Sequence, residues 1–304
     1  MSLLIRTLRV PFFTAAVVPI LVGTALAWYD GHFNGLYFVL TLLGAIAAHA
    51  AANVINDYYD HIYGNDEANQ SPTPFSGGSR VIQEGLLPPK KVLFIALTAY
   101  AITIIIGLAL TVLRGWPVLL IGVIGIAISF LYSYKVAYWG HGLGELLVSL
   151  GFGPVMVLGA YYVQTQGLSW GALWASIPVA LLIGGVLYIN EFPDYPADGA
   201  VKKNTLVVVL GRKAAVPGYV ALVIGAYCFI VLGVMLSFLP QIALAALLTF
   251  PLAWRGIQGA RRFYADTPKL IPTNAVTIQI HLFTGLLLTL GIILSTLLER
   301  FVLS

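Results

Sequence analysis

The chain has 304 residues, of which 59% are hydrophobic and only 9% charged, with a formal net charge of +4. Soluble domains run nearer about 45–50% apolar and about 25% charged, so this composition, with a mean hydropathy of +0.91, excludes an ordinary soluble fold. The basic residues are spread over separate polar segments, which gives no continuous patch for a nucleic acid.

In chain order, nine apolar runs approach the roughly 20 residues needed to cross a bilayer. They are 11–29, 36–55, 92–113, 116–134, 142–163, 170–190, 217–237, 239–254 and 276–298, the eighth being the least secure in length. The predicted fold is all-α: a polytopic membrane bundle of nine transmembrane helices forming one domain over 1–304. The first run lacks a small-residue cleavage site and is long enough to span, so it reads as a helix rather than a leader. Cys228 lies in the seventh run and reads as a packing residue. All but Arg114 and Arg300 of the sixteen Lys and Arg fall on one predicted side. The positive-inside rule makes that side cytoplasmic, with the N-terminus, in an integral, multi-pass cell-membrane protein.

Of the twelve acidic residues, only Asp30 and Glu299 fall on the other side. Asp57, Asp60, Asp66, Glu67 and Glu84 crowd one polar connection, about 56–91. Glu191, Asp194 and Asp198 crowd another, about 191–216. A carboxylate at a helix centre costs about 2.5–3.5 kcal/mol by insertion scales, and clustering at a helix end adds mutual repulsion, so the clusters point to positive partners. The first connection is rich in Gly, Pro and Ser and reads as an ordered functional loop with one short helix. A third, basic connection is expected over 255–275.

The two acidic connections resemble each other. "NVINDYYD" (53–60) and "NEFPDYPAD" (190–198) both place Asn four residues before Asp-Tyr, followed by another Asp, a Gly and basic residues. Four spans separate them, so both emerge on the same face, and the pattern predicts an internal duplication of a four-helix unit with opposed acidic clusters. In a helix, Asn53 and Asp57 lie one turn apart, and Asp57 and Asp60 share a face. Pro193 and Pro196 predict a broken or restarted helix at the second cluster.

Oxygen ligands without His or Cys select a hard cation, and Mg²⁺ is typically held by one or two carboxylates plus substrate phosphates. Two opposed clusters suit Mg²⁺ ions with a diphosphate between them. Arg80, Lys202, Lys203 and Lys135 are the candidate diphosphate-binding cations, with Arg212 a further possibility. Tyr132 is the candidate aromatic face for an acceptor or a developing carbocation. Glu145 reads as a helix cap and His281 as a packing residue. An ion-coupled secondary transporter is the competing class, since broken helices and intramembrane acids occur there too. Transporter sites usually sit near the midplane, however, and inverted repeats would point the two clusters in opposite directions.

"NDYYDHIYGND" (56–66) together with "NEFPDYPADGAVKKNTL" (190–206) resembles the paired aspartate motifs of the UbiA superfamily of intramembrane prenyltransferases. "GGSRVIQEG" (77–85), "GLGELLVSLGFGPVMVLGAYYVQT" (142–165) and "IPTNAVTIQIH" (271–281) are similar to its 1,4-dihydroxy-2-naphthoate polyprenyltransferase branch. The resemblance implies Mg²⁺–diphosphate binding and catalysis by Asp57, Asp60, Asp194 and Asp198, with Asn53 and Asn190 as supporting metal ligands. Gly64 stands where the strict pattern has a further aspartate, and Asp66 is its expected substitute. The implied partners are a prenyl diphosphate, an aromatic acceptor and the lipid bilayer. Dihydroxynaphthoate is the expected acceptor, with 4-hydroxybenzoate, homogentisate or a non-aromatic alcohol as alternatives.

Overall fold

The computed structural model describes residues 2–136 and 141–303. Every regular element among them is helical, and nine helical stretches are long and apolar enough to cross a membrane. A short α1 (Leu3–Thr7) and a 3₁₀ turn (Val10–Phe13) lead into α2 (Thr14–Tyr29). Then come α3 (Gly35–Ile62), the one-turn α4 (Asn65–Ala68), α5 (Pro89–Arg114) and α6 (Trp116–Leu131). Next are α7 (Leu143–Leu150), α8 (Met156–Thr165), α9 (Trp170–Ala200) and the short α10 (Leu206–Leu210). The chain ends with α11 (Arg212–Met235), a 3₁₀ stretch (Gln241–Thr249), α12 (Phe250–Phe263) and α13 (Thr267–Leu303).

Length explains where the acids sit. At 1.5 Å per residue the 31-residue α9 is about 46 Å long and the 28-residue α3 about 42 Å. Both exceed the roughly 30 Å hydrocarbon thickness, so each carries its acidic turns beyond the bilayer core. Asp57 and Asp60 are thus helical residues near the end of α3, as their spacing predicts.

The expected break at the second cluster does not occur: α9 runs unbroken through Pro193 and Pro196 to Ala200. A proline at 193 removes the N–H that would bond the carbonyl of Ile189. The fully buried Asn274 of α13 replaces it, donating from Nδ2 to Ile189 O at 3.1 Å and to Asn190 Oδ1 at 2.7 Å. The basic stretch is also helical rather than a connection, since Arg255, Arg261 and Arg262 lie on α12. The eighth span therefore lengthens to Gln241–Phe263. Cys228 faces out of the bundle instead of into it.

The three largest apolar clusters among the described residues hold most of the helices together. One joins α2, α8, α9, α11 and α13 around Val22, Tyr161, Val179 and Ile292 and contains none of the clustered acids. Gly23 makes that packing possible: a Cβ there would collide with the backbone oxygen of Val157 on α8, the close approach that small residues allow between membrane helices. The other two clusters flank the acidic end, one around Tyr188, Phe192 and Tyr219, the other around Val54, Val81 and Val92. Val81 and Leu87 anchor the long loop between α4 and α5 in the last of these.

Asn274→Ala should leave the Ile189 carbonyl buried without a donor, at a cost of about 1–3 kcal/mol. A lowered unfolding temperature in detergent, with secondary structure retained, is the expected outcome.

Candidate active site

The end of α3, the loop 63–88 and the end of α9 form one polar assembly, in which the loop supplies most of the connections. Asp57 and Asp60 of α3 and Asp198 of α9 are all buried. The Ser79 backbone N–H donates to both Asp57 oxygens at 3.3 and 3.2 Å. Asn65 Nδ2 donates to Asp198 Oδ1 at 3.0 Å, and Asn69 Nδ2 to Asp194 Oδ1 at 2.8 Å. Gly77 N–H reaches the other Asp194 oxygen at 3.3 Å. These bonds set the two acid-bearing helix ends side by side on one face of the bundle.

Lys203 bridges the clusters. Its Nζ lies 3.1 and 3.2 Å from the Asp60 oxygens and 4.0 Å from Asp198 Oδ1, with only 10% of its side chain exposed. Lys202 is separated from it by a left-handed backbone (φ 56°) and is exposed. The two lysines therefore face different surroundings. Arg80 also has positive φ (63°), and its guanidinium donates to the Asp66 backbone oxygen. Lys135 lies in the π turn that extends α6, 4.8 Å over the Tyr134 ring.

Asp66 lies beside Asp57. An ideal Cβ built on Gly78 would fall 3.1 Å from an Asp57 oxygen and 3.0–3.1 Å from both Asp66 oxygens. With φ at +72°, Gly78 is a position where a side chain is strained as well as obstructed. Burial, reinforced by the charges of Asp60 and Asp57, pushes the Asp66 carboxyl up to about 8 against the opposing pull of Lys203 and Arg80. Asp66 Oδ2 and Asn65 Oδ1 are buried with no hydrogen-bond partner.

Beneath the acids runs a cavity of about 800 Å³ with a polar mouth and apolar walls. Asn53, Asn56, Asn190, Tyr132 and Arg9 line the mouth. Ile106, Leu110, Val118 and Val163 line the far end. Two π turns border it, Tyr132–Val136 and Gly151–Val155, the second accommodating Pro154; such turns often mark functional sites. Asn53 also donates to the Leu8 carbonyl at 3.2 Å, tying α3 to the N-terminal segment.

A profile of the UbiA prenyltransferase family matches residues 16–274. The chain belongs to the UbiA prenyltransferase family. It is 30% identical to the 1,4-dihydroxy-2-naphthoate octaprenyltransferase of Bacillus subtilis (strain 168), over 93% of this chain and 89% of that protein. It is 28% identical to the 2-carboxy-1,4-naphthoquinone phytyltransferase of Synechocystis sp. (strain ATCC 27184 / PCC 6803 / Kazusa), over 95% and 92% of the two chains. The fold of this prenyltransferase is similar to that of a UbiA homolog from Aeropyrum pernix K1, with a TM-score of 0.69, 20% identity, and 93% and 97% coverage. A UbiA homolog from Archaeoglobus fulgidus bound to GPP and Mg²⁺ aligns with a TM-score of 0.63 at 13% identity, covering 94% of this chain and 99% of that one.

Several site residues had only weak signals in the sequence. Asn65 within the first motif and Asn69 just after it reach across to the second. Arg6 read only as a topology charge, yet it donates to the Ser79 carbonyl at 2.8 Å and to Glu84 at 2.7 Å, clamping the loop. That hydrogen bond to Arg6 holds the Glu84 carboxyl below its usual range. Glu145 does cap a helix, but a neighbour rather than its own: Oε1 accepts from Leu206 N–H, in the first turn of α10, at 2.6 Å. His281 is buried, as a packing residue should be, although its Nε2 has no partner.

Lys203→Ala should abolish turnover and lower thermal stability, because Asp60 and Asp198 lose their buried cation. Lys202→Ala should change both by little. Prenyl transfer assays and detergent melting curves on the two variants test the distinction, and equal losses would contradict it.

Proposed function

We propose that this prenyltransferase transfers a polyprenyl group from a prenyl diphosphate to 1,4-dihydroxy-2-naphthoate with Mg²⁺ as cofactor. The observation that carries the donor side is the convergence of two acidic helix ends, bridged by one loop and one lysine, directly above a large apolar cavity. The naphthoate acceptor is supported by the names of the similar curated proteins.

The residues fit Mg²⁺. Asp57 and Asp66 converge around Gly78, the Asp66 Oδ2 is without a partner, and the donors are oxygens. Mg²⁺ commonly takes part of its shell from substrate phosphate, so one or two carboxylates suffice. Asp57, Asp60, Asp66, Asp194 and Asp198 would hold the metal, supported by Asn53 and Asn190. When bound, Mg²⁺ supplies positive charge that makes diphosphate a better leaving group.

The chain's own groups do the rest. Arg80 and Lys203 stabilise negative charge at the mouth, where little water dilutes their effect. Lys135 and the exposed Lys202 stand farther out as secondary diphosphate contacts. Cleavage of the bond from prenyl C1 to the diphosphate oxygen leaves an allylic cation facing the Tyr132 ring at the cavity mouth. A ring carbon beside an acceptor hydroxyl then bonds to C1, and the displaced ring proton leaves to the released diphosphate. Apolar walls seat the tail and exclude the water that would quench the cation.

The protein is proposed to lie in the cell membrane with its N-terminus and acidic loops cytoplasmic, a reading supported by the charge asymmetry. In a Cys228→Ala background, cysteines at Ser71 and Lys213 should be labelled from the cytoplasmic side only, and one at His32 from the opposite side. Labelling of Ser71 and His32 from the same side would refute this topology.

Purified protein given geranyl diphosphate, Mg²⁺ and a panel of dihydroxynaphthoate, 4-hydroxybenzoate, homogentisate and alcohol acceptors should prenylate dihydroxynaphthoate most efficiently. Asp57→Ala and Asp194→Ala should each reduce turnover at least about a hundredfold while the protein stays folded. Strong preference for another acceptor would replace the naphthoate assignment. Near-normal turnover in either variant would sink the two-cluster mechanism.

A further inference from the structure

Glu145 is a carboxyl that neither the metal site nor the cavity employs. It lies in the first turn of α7 and is only 7% exposed, where an acid needs a partner to offset its desolvation. The dipole at a helix N-terminus favours an acid there, and that account would leave the carboxyl facing its own turn. Instead Oε1 accepts the N–H of Leu206, 61 residues away, at 2.6 Å. Glu191 of α9 lies within hydrogen-bond reach of the same carboxyl.

The Leu206 side chain is gripped at the same place. An ideal Cβ on Gly142 would fall 2.6–2.7 Å from Leu206 side-chain carbons, and the φ of +96° at Gly142 favours glycine. Residues 142–145, Gly-Leu-Gly-Glu, thus form a socket in which the glycine admits the side chain and Glu145 holds the backbone. Leu206 stands three residues beyond Lys203, and the chain between them is closely bonded. Lys203 N–H donates to the Asp198 carbonyl at 2.8 Å, and the Lys203 carbonyl accepts from Thr205 N–H at 3.0 Å. Thr205 caps α10, its Oγ1 accepting from Val208 N–H at 3.3 Å. The segment 203–206 is therefore tied to α9 at one end and to α7 at the other, so a shift of Leu206 passes to Lys203.

We propose that Glu145 is a positioning residue, acting through the Leu206 N–H to hold Lys203 between the two acidic clusters. This rests on Lys203 serving the diphosphate and deepens that reading by naming what sets the height of its ammonium. Both acids attract that ammonium, so its distance from each is decided by where the backbone holds the lysine. Nζ lies 3.1 Å from Asp60 and 4.0 Å from Asp198, and a displacement on the order of 1 Å exchanges one partner for the other, an error large enough to matter at a reacting centre. Val207 is fully buried in the cluster around Tyr188, Phe192 and Tyr219. It keeps α10 docked when the Glu145 bond is lost, so that loss moves Lys203 rather than unfolding the segment.

Two measurements on the full-length protein in detergent test this: amine acylation at Lys203 and Lys202, read by mass spectrometry, and equilibrium binding of geranyl diphosphate with Mg²⁺. In the unaltered protein Lys203, with 10% of its side chain exposed, should acylate far more slowly than the exposed Lys202. Glu145→Ala should speed acylation of Lys203 several-fold and leave Lys202 as it was, while geranyl diphosphate affinity falls roughly tenfold. Glu145→Gln should recover most of both, because its amide oxygen still accepts from Leu206 and its N–H meets Glu191. Leu206→Pro reaches the same bond from the other side. It removes the N–H at the first position of α10, which suits proline, after a Thr205 that is already extended (φ −64°, ψ 158°), and it should reproduce the Glu145→Ala pattern. In a Lys203→Ala background, Glu145→Ala should lower diphosphate affinity no further. Unchanged Lys203 acylation in both Glu145→Ala and Leu206→Pro would overturn the proposal, as would an additive loss in the double variant. A Glu145→Gln protein as impaired as Glu145→Ala would show that the carboxylate charge itself is needed, and the proposal would fall. Faster acylation with undiminished diphosphate affinity would leave the positioning in place and strike down the diphosphate role of Lys203 instead.

Discussion

The repulsion among buried carboxylates at one end of an apolar bundle organises this molecule. Asp57, Asp60, Asp66 and Asp198 are all largely removed from solvent, where like charges are poorly screened and each needs a compensating donor or cation. The protein supplies some of that compensation itself. Lys203 sits between Asp60 and Asp198, the Ser79 N–H addresses Asp57, and Asn65 and Asn69 cross from the first cluster to the second. The supply is incomplete, as the partnerless Asp66 Oδ2 records. A fully compensated cluster would have no affinity left for the proposed metal–diphosphate complex. An uncompensated one would drive the helix ends apart.

The same balance explains the long loop. A connection of 63–88 rich in Gly and Ser cannot stabilise itself by burying apolar area, and only Val81 and Leu87 enter a core cluster. Its order comes from bonds to the acids and from the Arg6 clamp on Ser79 and Glu84. Loop and acid clusters are therefore one structural unit, each satisfying groups that the other leaves bare. The positive backbone angles of Gly77, Gly78 and Arg80 follow from this demand, because the chain must turn its N–H groups toward carboxylates within a few residues.

Much of this was legible in the sequence because membrane burial makes charge expensive. Nine apolar runs, the asymmetry of Lys and Arg, and two acid-rich motifs separated by four spans each carry a large energetic signal. What was not legible depended on groups without such a signal. Continuity of α9 through Pro193 turns on an amide 85 residues away, which donates to Ile189 O and to the neighbouring Asn190 side chain. Adjacent Lys202 and Lys203 look alike on paper and part only because the backbone reverses hand between them. The helical extension through Arg255–Arg262 was hidden by its basic composition. Those residues occupy the exposed face of a helix whose other face, around Ala253, Ile257 and Ala260, is buried in the core.

Arg9 shows how one physical reason can conceal another. Positive-inside placement accounts for a basic residue near the first span, and that account needs nothing further from the sequence. It does not account for a guanidinium held on a cavity wall by a strained backbone, beside an aspartate it approaches without closing on. A topology anchor gains most by reaching into headgroups and water. A residue that turns inward gives up that solvation, and the loss is offset only by a negative partner, here Asp57 at 4.0 Å. Burial direction, which composition cannot report, separates the charges that orient this bundle from those that serve its chemistry.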